Sequence, residues 1–326
     1  MRKILFSSFF LFLISIITLG QSIEDVKGLG KISETKLVSL LSDHSIWWSP
    51  EGKAWQKVPL QGLPANSSMK LIEVYVKFAG TNKNTRLVAV LEDNSMWWYA
   101  DGGSWEKIST AGLPKNAVVK IFKPYVKTGS FGSLDTRFVV VLDNNTMWWY
   151  ALDEPWRPVS SEGLPAGYVI TNLGSYQKVG MMGTETRYML TLSDNSVWWF
   201  AEGKKWQQLE SSGLPANSTF KKFTAYMKIS GDAIFTRYAT WEGRLVGVLS
   251  DESIWWFATN GKTWKKLETN GLPKGYKIRS LSVFQKYPGM MGETRVILLL
   301  EDNSVWWYGE NKGWSKVNTT GLPLSN

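Results

Sequence analysis

The 326-residue chain contains no cysteine and a single histidine, His44. Disulfide bonds, cysteine nucleophiles, catalytic triads that use histidine and histidine-rich metal sites are therefore excluded. The sequence also lacks a glycine-rich phosphate-binding motif, and no segment keeps up the apolar period of about 3.6 residues that marks a helix. These absences predict a protein without a cofactor or bound metal, and they favour strands over helices.

The first twenty residues have the pattern of a secretory signal peptide. Arg2 and Lys3 precede an apolar stretch over residues 4–19, and small residues lead up to Gly20. We expect cleavage after Gly20 and a secreted or periplasmic protein. The apolar run is shorter than the roughly 20 residues of a membrane span, and a lipoprotein anchor needs a cysteine. No stable membrane anchor is therefore expected, and an uncleaved anchor is the alternative.

The chain is basic, with a formal net charge of +9 that falls to +7 when the signal peptide leaves with Arg2 and Lys3. A basic exported protein is expected to favour anionic partners, although net charge says nothing about specificity. Nucleic acid is not expected as a partner of an exported chain, despite the basic and aromatic content.

Tryptophan is abundant, and eighteen of the nineteen tryptophans belong to one motif that occurs six times. Each copy has two adjacent tryptophans, a third tryptophan eight or nine residues after the first, and Gly-Leu-Pro seven residues after the third. The pairs are Trp47–Trp48, Trp97–Trp98, Trp148–Trp149, Trp198–Trp199, Trp255–Trp256 and Trp306–Trp307. Successive pairs are 50 to 57 residues apart, a spacing that indicates a tandem-repeat fold.

One repeat, read over residues 85–127, contains four β-prone segments at 86–91, 95–99, 105–108 and 118–125. Four short antiparallel strands in each of six repeats predict an all-β, six-bladed β-propeller over residues 21–326. Adjacent tryptophans point to opposite faces of a strand, and a blade is covered on both faces, so both can be buried. Residues 22–33 align with a fourth strand, and we expect them to complete the last blade and close the ring.

Two repeated features are interpreted as turns. An acidic residue or asparagine precedes each tryptophan pair, and these side chains bond their own backbone in tight turns. The positions are Asp43, Asp93, Asn144, Asp194, Asp251 and Asp302. His44 stands in the first of these turns, and Gly-Leu-Pro forms a rigid turn later in each repeat.

A basic residue stands eleven positions before each tryptophan pair. These residues are Lys36, Arg86, Arg137, Arg187, Arg244 and Arg295. A second basic set closes each predicted fourth strand and comprises Lys27, Lys77, Lys127, Lys178, Lys228 and Lys286. In one interpretation the arginines are structural, packing their stems and pairing with Asp135, Glu185 and Glu293. In the other, two rings of cations attract anions to one face, where arginine clamps a carboxylate or sulfate.

The third tryptophan of each repeat is the aromatic residue that we expect on the same face. An indole exposed beside an arginine is a platform for a sugar ring, because one surface of the sugar is apolar and the other polar. The residues are Trp55, Trp105, Trp156, Trp206, Trp264 and Trp314. Burial in the core is the alternative. The loops at 180–183, 230–243 and 289–292 differ between repeats, and we expect ligand selectivity to reside in them.

The succession of Asp-Asn-Ser-x-Trp-Trp, a further tryptophan and Gly-Leu-Pro resembles the repeats of tectonin and tachylectin-type propeller lectins. The doubled tryptophan and the fixed Gly-Leu-Pro depart from that family. Six-bladed fungal fucose lectins offer a second analogy, in which sugar lies between blades on tryptophan and arginine with an acidic partner. No acidic residue repeats near the arginines in this sequence, so only tryptophan and arginine are transferred.

The resemblance implies a non-catalytic, multivalent carbohydrate-binding protein whose partners are glycans or other anionic ligands. A protein-binding scaffold on the loop face is one alternative. A propeller glycosidase such as a sialidase is another alternative. The repeats of sialidases have the spacing Ser-x-Asp-x-Gly-x-x-x-Trp, which this chain lacks.

Overall fold

The computed structural model describes residues 21–324, except for 32–33, 51–52, 80–81, 129–133, 152–153, 181–182, 211, 231–239, 287–292 and 311. The predicted signal peptide lies outside the described residues. Six four-stranded antiparallel sheets make up the described chain. The predicted all-β, six-bladed propeller is therefore confirmed, and the sheets are called blades 1 to 6 in chain order. Within the described ranges, no helix is long and apolar enough to cross a membrane.

Each blade is built from four consecutive strands. The first strands are β1 (Ile23–Lys31), β5 (Met69–Ala79), β9 (Val119–Thr128), β13 (Ile170–Gly180), β17 (Phe220–Ser230) and β21 (Ile278–Lys286). The second strands are β2 (Glu34–Leu41), β6 (Asn82–Leu91), β10 (Leu134–Leu142), β14 (Gly183–Leu192), β18 (Thr240–Leu249) and β22 (Glu293–Leu300). The third strands are β3 (Ile46–Pro50), β7 (Met96–Ala100), β11 (Met147–Ala151), β15 (Val197–Ala201), β19 (Ile254–Ala258) and β23 (Val305–Gly309). The fourth strands are β4 (Gln56–Lys57), β8 (Trp105–Lys107), β12 (Arg157–Pro158), β16 (Gln207–Gln208), β20 (Lys265–Leu267) and β24 (Gly313–Lys316).

The boundaries of the blades differ from the sequence prediction by one strand. The segment predicted as the fourth strand of a blade is the first strand of the next one. β9, for example, pairs with β10 through Tyr125 opposite Arg137, and not with β8. The long hairpin between the first and second strands supplies this pairing, and the short fourth strand lies at the other edge of the sheet.

The predicted closure of the ring is also wrong in its detail. β1 pairs with β2 and opens the first blade, whereas the last blade draws all four of its strands from the C-terminal part of the chain. The two ends do meet, because Gln21 forms a parallel bridge with Leu324. Ile23 and Leu322 also share one apolar cluster with residues of blades 1 and 6. The ring therefore closes by blade-to-blade packing and this bridge.

The core is divided into six apolar clusters, each shared by two successive blades. One cluster joins blade 6 to blade 1, as a closed ring requires. The first strands of all six blades line a common central cavity of about 370 Å³. The first strand is thus innermost, and the gaps between adjacent blades are radial clefts. We name each cleft by its two blades, from the 1/2 cleft to the 6/1 cleft.

Candidate ligand-binding clefts between the blades

The first tryptophan of each pair is fixed by the turn that precedes it. In blade 4, Asp194 Oδ1 accepts hydrogen bonds from the Ser196 main-chain nitrogen (2.9 Å) and hydroxyl (2.6 Å), and Trp198 Nε1 donates to Ser196 Oγ at 2.7 Å. The residue between the acid and the serine, Asn195, has a φ of 67°. The same chain of bonds recurs in the other five blades, with Asn144 and Thr146 in blade 3. The predicted turn role of the acids, and of His44 with a φ of 61°, is confirmed.

The third tryptophans hold adjacent blades together. Trp105 is 3% exposed, and its Nε1 donates to the main-chain oxygen of Pro59 in the preceding blade at 2.9 Å. Its main-chain nitrogen donates to Gln61 of the same segment. Gly62 follows with a φ of 100°, and a Cβ there would lie 2.3 Å from the Trp105 carbonyl oxygen. Gly62 of blade 1 therefore lies directly against the third tryptophan of blade 2, where only glycine fits, and Gly112 and Gly163 make the same close approach.

Of the two interpretations of the third tryptophan, this packing confirms burial in the core and corrects the exposed sugar platform. These six side chains are between 2% and 8% exposed, so no ring offers an open face to a sugar. The tryptophan pairs, by contrast, were expected to be buried and are only partly so. Each ring of the pairs is partly exposed to solvent. The aromatic surface available to a ligand therefore belongs to the pair.

The predicted basic residues lie over the second tryptophan of each pair. Arg187 Cζ is 4.4 Å from the ring centre of Trp199, because the hairpin of β14 and β15 places both side chains on one face. The corresponding distances are 3.6 Å for Lys36 Nζ over Trp48 and 4.0 to 4.9 Å for the Cζ atoms of Arg86, Arg137, Arg244 and Arg295 over Trp98, Trp149, Trp256 and Trp307. Each cleft thus contains a stacked cation and indole. Sequence reasoning missed the second tryptophan, although pairing the two strands about the Asp turn would have shown it.

Acidic residues surround most of these cations, contrary to the expectation that no acidic residue repeats near the arginines. Asp135, Glu185 and Glu293 pair with the arginine two positions later, at 2.8, 2.6 and 2.9 Å, as the structural interpretation predicts. A second set comes from the blade across the cleft. Asp101 lies 2.8 Å from Lys36 Nζ, Glu202 lies 3.7 Å from Arg137 Nη1, and Glu310 lies 3.5 Å from Arg244 Nη1. An acidic partner therefore recurs in two places: two positions before the arginine, as at Asp135 and Glu185, and on the neighbouring repeat, where a search within one repeat cannot find it.

The 3/4 cleft shows how these groups are arranged. Its cavity of about 190 Å³ is lined by Arg137 and Trp149 from blade 3 and by Phe200 and Glu202 from blade 4. Burial opposes the charge on Arg137, but the hydrogen bond and charge of Asp135 raise the pKa of the guanidinium above its ordinary value. The cleft therefore presents a fixed cation, carboxylate acceptors and two aromatic rings within one small space.

Two tyrosines lie at the inner wall of this cleft. The hydroxyl oxygens of Tyr125 and Tyr188 are 2.7 Å apart. Burial raises the pKa of Tyr125 to about 12, and it also raises the pKa of Tyr188. Both phenols therefore remain neutral at physiological pH and can donate hydrogen bonds.

The second basic set does not form the predicted ring. Lys27 of β1 lies opposite Val38 of β2. Its counterpart in blade 2 is therefore Glu73, which lies opposite Val88, and not Lys77. Its ammonium lies 3.1 Å from Asp25 and 3.5 Å from Glu73 beside the central cavity. Burial opposes this charge, but the two carboxylates raise the pKa of Lys27 above its ordinary value. Lys127 and Lys228 pair with Glu202 and Glu310, whereas the side chains of Lys77 and Lys286 lie outside the described residues. The three variable loops also lie wholly or partly outside them.

No protein-family model matches the chain, and no curated protein is similar to it in sequence. Among solved structures, the fungal fucose lectin of Aleuria aurantia matches with a TM-score of 0.61 at 16% identity, over 92% of this chain and 96% of that one. AofleA from Arthrobotrys oligospora matches with a TM-score of 0.60 at 12% identity, over 91% and 87%. SapL1 lectin, solved with α-methyl fucoside, matches with a TM-score of 0.56 at 17% identity, over 90% and 94%. At these identities the likeness shows the six-bladed fold alone, and these matches do not support the resemblance to the tectonin and tachylectin subtype.

Proposed function

We propose that this protein is a non-catalytic, multivalent lectin whose sugar sites are the clefts between blades. The observation that carries the proposal is the stacked pair of a basic residue and the second tryptophan in all six clefts, from Lys36 with Trp48 to Arg295 with Trp307. A sugar needs an apolar surface for its C–H face together with donors and acceptors for its hydroxyls. The edge of the indole, the guanidinium and the nearby carboxylates supply these groups.

A fucoside is the first ligand to test. The names of the similar structures state that the Aleuria aurantia lectin recognises fucose and that SapL1 binds α-methyl fucoside. A 6-deoxy sugar carries a methyl group that packs on an aromatic ring and hydroxyls that can bond Arg137 and Glu202. The cavity of about 190 Å³ in the 3/4 cleft is suited to one monosaccharide rather than to a chain. Six sites on one ring would give avidity on a surface that displays many copies of the sugar.

The clefts differ in charge, so preference for anionic glycans is proposed for one of them. Arg86 forms no ion pair among the described residues, and residue 84, two positions earlier, is Asn rather than an acid. Arg137 and Arg244 instead face two carboxylates each. A sulfated or sialylated glycan would therefore favour the 2/3 cleft. The predicted signal peptide supports export, where such glycans are met.

A glycan array that includes fucosylated, sialylated and sulfated glycans tests the proposal. We expect binding without turnover, and calorimetry with methyl α-L-fucoside is expected to give more than one site per chain. Arg187→Gln should lower the number of sites by one, because it removes the cation of the 4/5 cleft. Lys205→Gln is the matched control, since Lys205 is exposed and, in the part of the chain that the structure describes, pairs with Glu162 alone, at 2.5 Å. Silence on the array together with capture of a specific protein partner would overturn the proposal in favour of a scaffold.

A further inference from the structure

The 6/1 cleft differs from the other five in the ring that faces the preceding blade. Five blades carry an aromatic residue after the second tryptophan, and each of these rings packs on the third tryptophan of its own blade with ring centres 5.1 to 5.4 Å apart. The five are Tyr99, Tyr150, Phe200, Phe257 and Tyr308. Blade 1 has Ser49, whose hydroxyl lies 2.9 Å from the Pro50 oxygen and 2.7 Å from the Lys53 oxygen. A whole ring is therefore missing from the 6/1 cleft.

The missing ring leaves a cavity. It has a volume of about 400 Å³, against about 190 Å³ in the 3/4 cleft. Its walls are mainly apolar and include Leu37, Phe284, Ile297 and Trp307. An open cavity of this size with mainly apolar walls is suited to an apolar group of a ligand.

A second replacement removes a hydrogen-bonding group from the same cavity. In the 5/6 cleft, the hydroxyl of Tyr226 lies 3.1 Å from Thr294 Oγ1 of the next blade. At the matching position of blade 6 the residue is Phe284, because Phe284 lies opposite Arg295 as Tyr226 lies opposite Arg244. The residue across the cleft is Thr35, which is 6% exposed and lines the cavity. Its hydroxyl is without a hydrogen-bond partner among the described residues.

The cation of this cleft is also incompletely satisfied. Arg295 is 3% exposed, lines the cavity, and bonds Glu293 through Nη2 at 2.9 Å. Its Nε and Nη1, together with Glu293 Oε1, have no hydrogen-bond partner in the described part of the chain. A buried donor without a partner is costly, and donors of a guanidinium especially so. Donors and acceptors therefore converge on an apolar cavity, as they do in a ligand site.

We propose that the 6/1 cleft is a distinct site for a glycoside with an apolar aglycone. The sugar hydroxyls bond Arg295, Glu293 and Thr35, and an aryl or alkyl aglycone fills the space that a tyrosine or phenylalanine ring fills in the other clefts. The inference rests on the proposed lectin function, and it adds to it a ligand class that the other five clefts exclude by their rings.

Calorimetry with methyl and phenyl α-L-fucopyranoside tests the inference. Wild-type protein should bind the phenyl glycoside at one site per chain at least tenfold more tightly than the methyl glycoside. Ser49→Tyr restores the ring of the other blades and should abolish that preference while methyl glycoside binding at the other clefts persists. Ser49→Ala is the matched control, because it keeps the cavity open, and it should retain the preference.

A second variant keeps the test independent of how Ser49→Tyr folds. Phe284→Tyr supplies Thr35 with the hydroxyl partner that Thr294 has, and it should lower phenyl glycoside affinity severalfold. Binding of both glycosides with equal affinity, or an unchanged preference in both Ser49→Tyr and Phe284→Tyr, would overturn this inference and leave the lectin function standing. If wild-type protein binds neither glycoside and no glycan on the array, the lectin function is overturned and this inference with it.

Discussion

Trp55 Nε1 donates a 3.1 Å hydrogen bond to the main-chain oxygen of Asn318, which lies 263 residues later in the chain. The bond joins blade 1 to blade 6 in the same way that Trp105 joins blade 2 to blade 1. The contact that closes the ring is therefore a copy of the contact that builds it. No special closing strand is needed, because among the described residues the third tryptophan of every blade except blade 5 donates such a bond to the blade before it.

The indole hydrogen bonds between blades can be weighed with a pair of matched substitutions. Trp105→Phe removes the donor to Pro59, whereas Trp264 Nε1 has no partner among the described residues. Both changes lose the same ring volume. Trp105→Phe should therefore cost about 1 kcal/mol more in the free energy of unfolding than Trp264→Phe, as the loss of one buried hydrogen bond implies. Urea denaturation followed by tryptophan fluorescence measures the difference, and equal costs would show that the bonds contribute nothing net.

Gly163 of Gly-Leu-Pro is predicted to be irreplaceable because of the neighbouring blade and not only because of its own backbone. Gly163 has a φ of 100°, and a Cβ there would lie 2.4 Å from the Trp206 carbonyl oxygen. Gly203 has a φ of 78° with open space around it. Gly203→Ala should cost about 1 kcal/mol for the left-handed conformation alone. Gly163→Ala should cost several times more, measured as the shift in urea midpoint, and a similar cost for both would refute the clamp.

The six repeats, the positions of the strands and the role of the Asp turns could all be predicted from the sequence, because each depends on neighbours along the chain. The blade boundary could not, since a tandem repeat looks the same wherever it is cut. Only pairing shows that Val119–Thr128 joins the strand after it. The exposure of the third tryptophan could not be predicted for a related reason. The third tryptophan is buried by the preceding repeat, and Glu202 reaches Arg137 from the following one.

The turn acids should make stability depend on pH in the acid range. The hydroxyl and main-chain hydrogen bonds of Ser95, Ser196 and Ser253 lower the pKa of Asp93, Asp194 and Asp251; burial opposes the same shift at Asp302, where the Ser304 bonds prevail. A lowered folded-state pKa gives stability that is present above the unfolded value of about 3.9 and is lost as the pH falls through the folded value. The melting temperature should therefore decrease as the pH falls below about 4.

Blade 3 supplies the control for this dependence. Asn144 Oδ1 accepts from the Thr146 main-chain nitrogen at 3.1 Å and hydroxyl at 2.7 Å, so an amide maintains the turn without a titrating group. Replacing Asp93, Asp194, Asp251 and Asp302 together by asparagine should flatten the acid slope of the melting temperature while leaving the fold intact. An unchanged slope between pH 5 and pH 2 would assign the acid sensitivity to other carboxylates.

The charge difference between clefts leads to a last prediction, which separates Arg86 from Arg137. Both lie over a tryptophan, at 4.5 and 4.9 Å, but among the described residues only Arg137 is paired with carboxylates, at 2.8 Å from Asp135 and 3.7 Å from Glu202. Arg86→Gln should therefore weaken binding of a sulfated or sialylated glycan by about tenfold, because one unopposed charge-assisted contact is lost. Arg137→Gln should weaken it much less. The two variants should lose methyl α-L-fucoside binding to the same extent, since both remove one cation from one cleft.

Titration at low and moderate salt checks the assignment, because the effect of Arg86→Gln on the anionic glycan should shrink as screening increases. Equal losses in both variants for the anionic glycan would show that the neighbouring carboxylates do not set cleft selectivity.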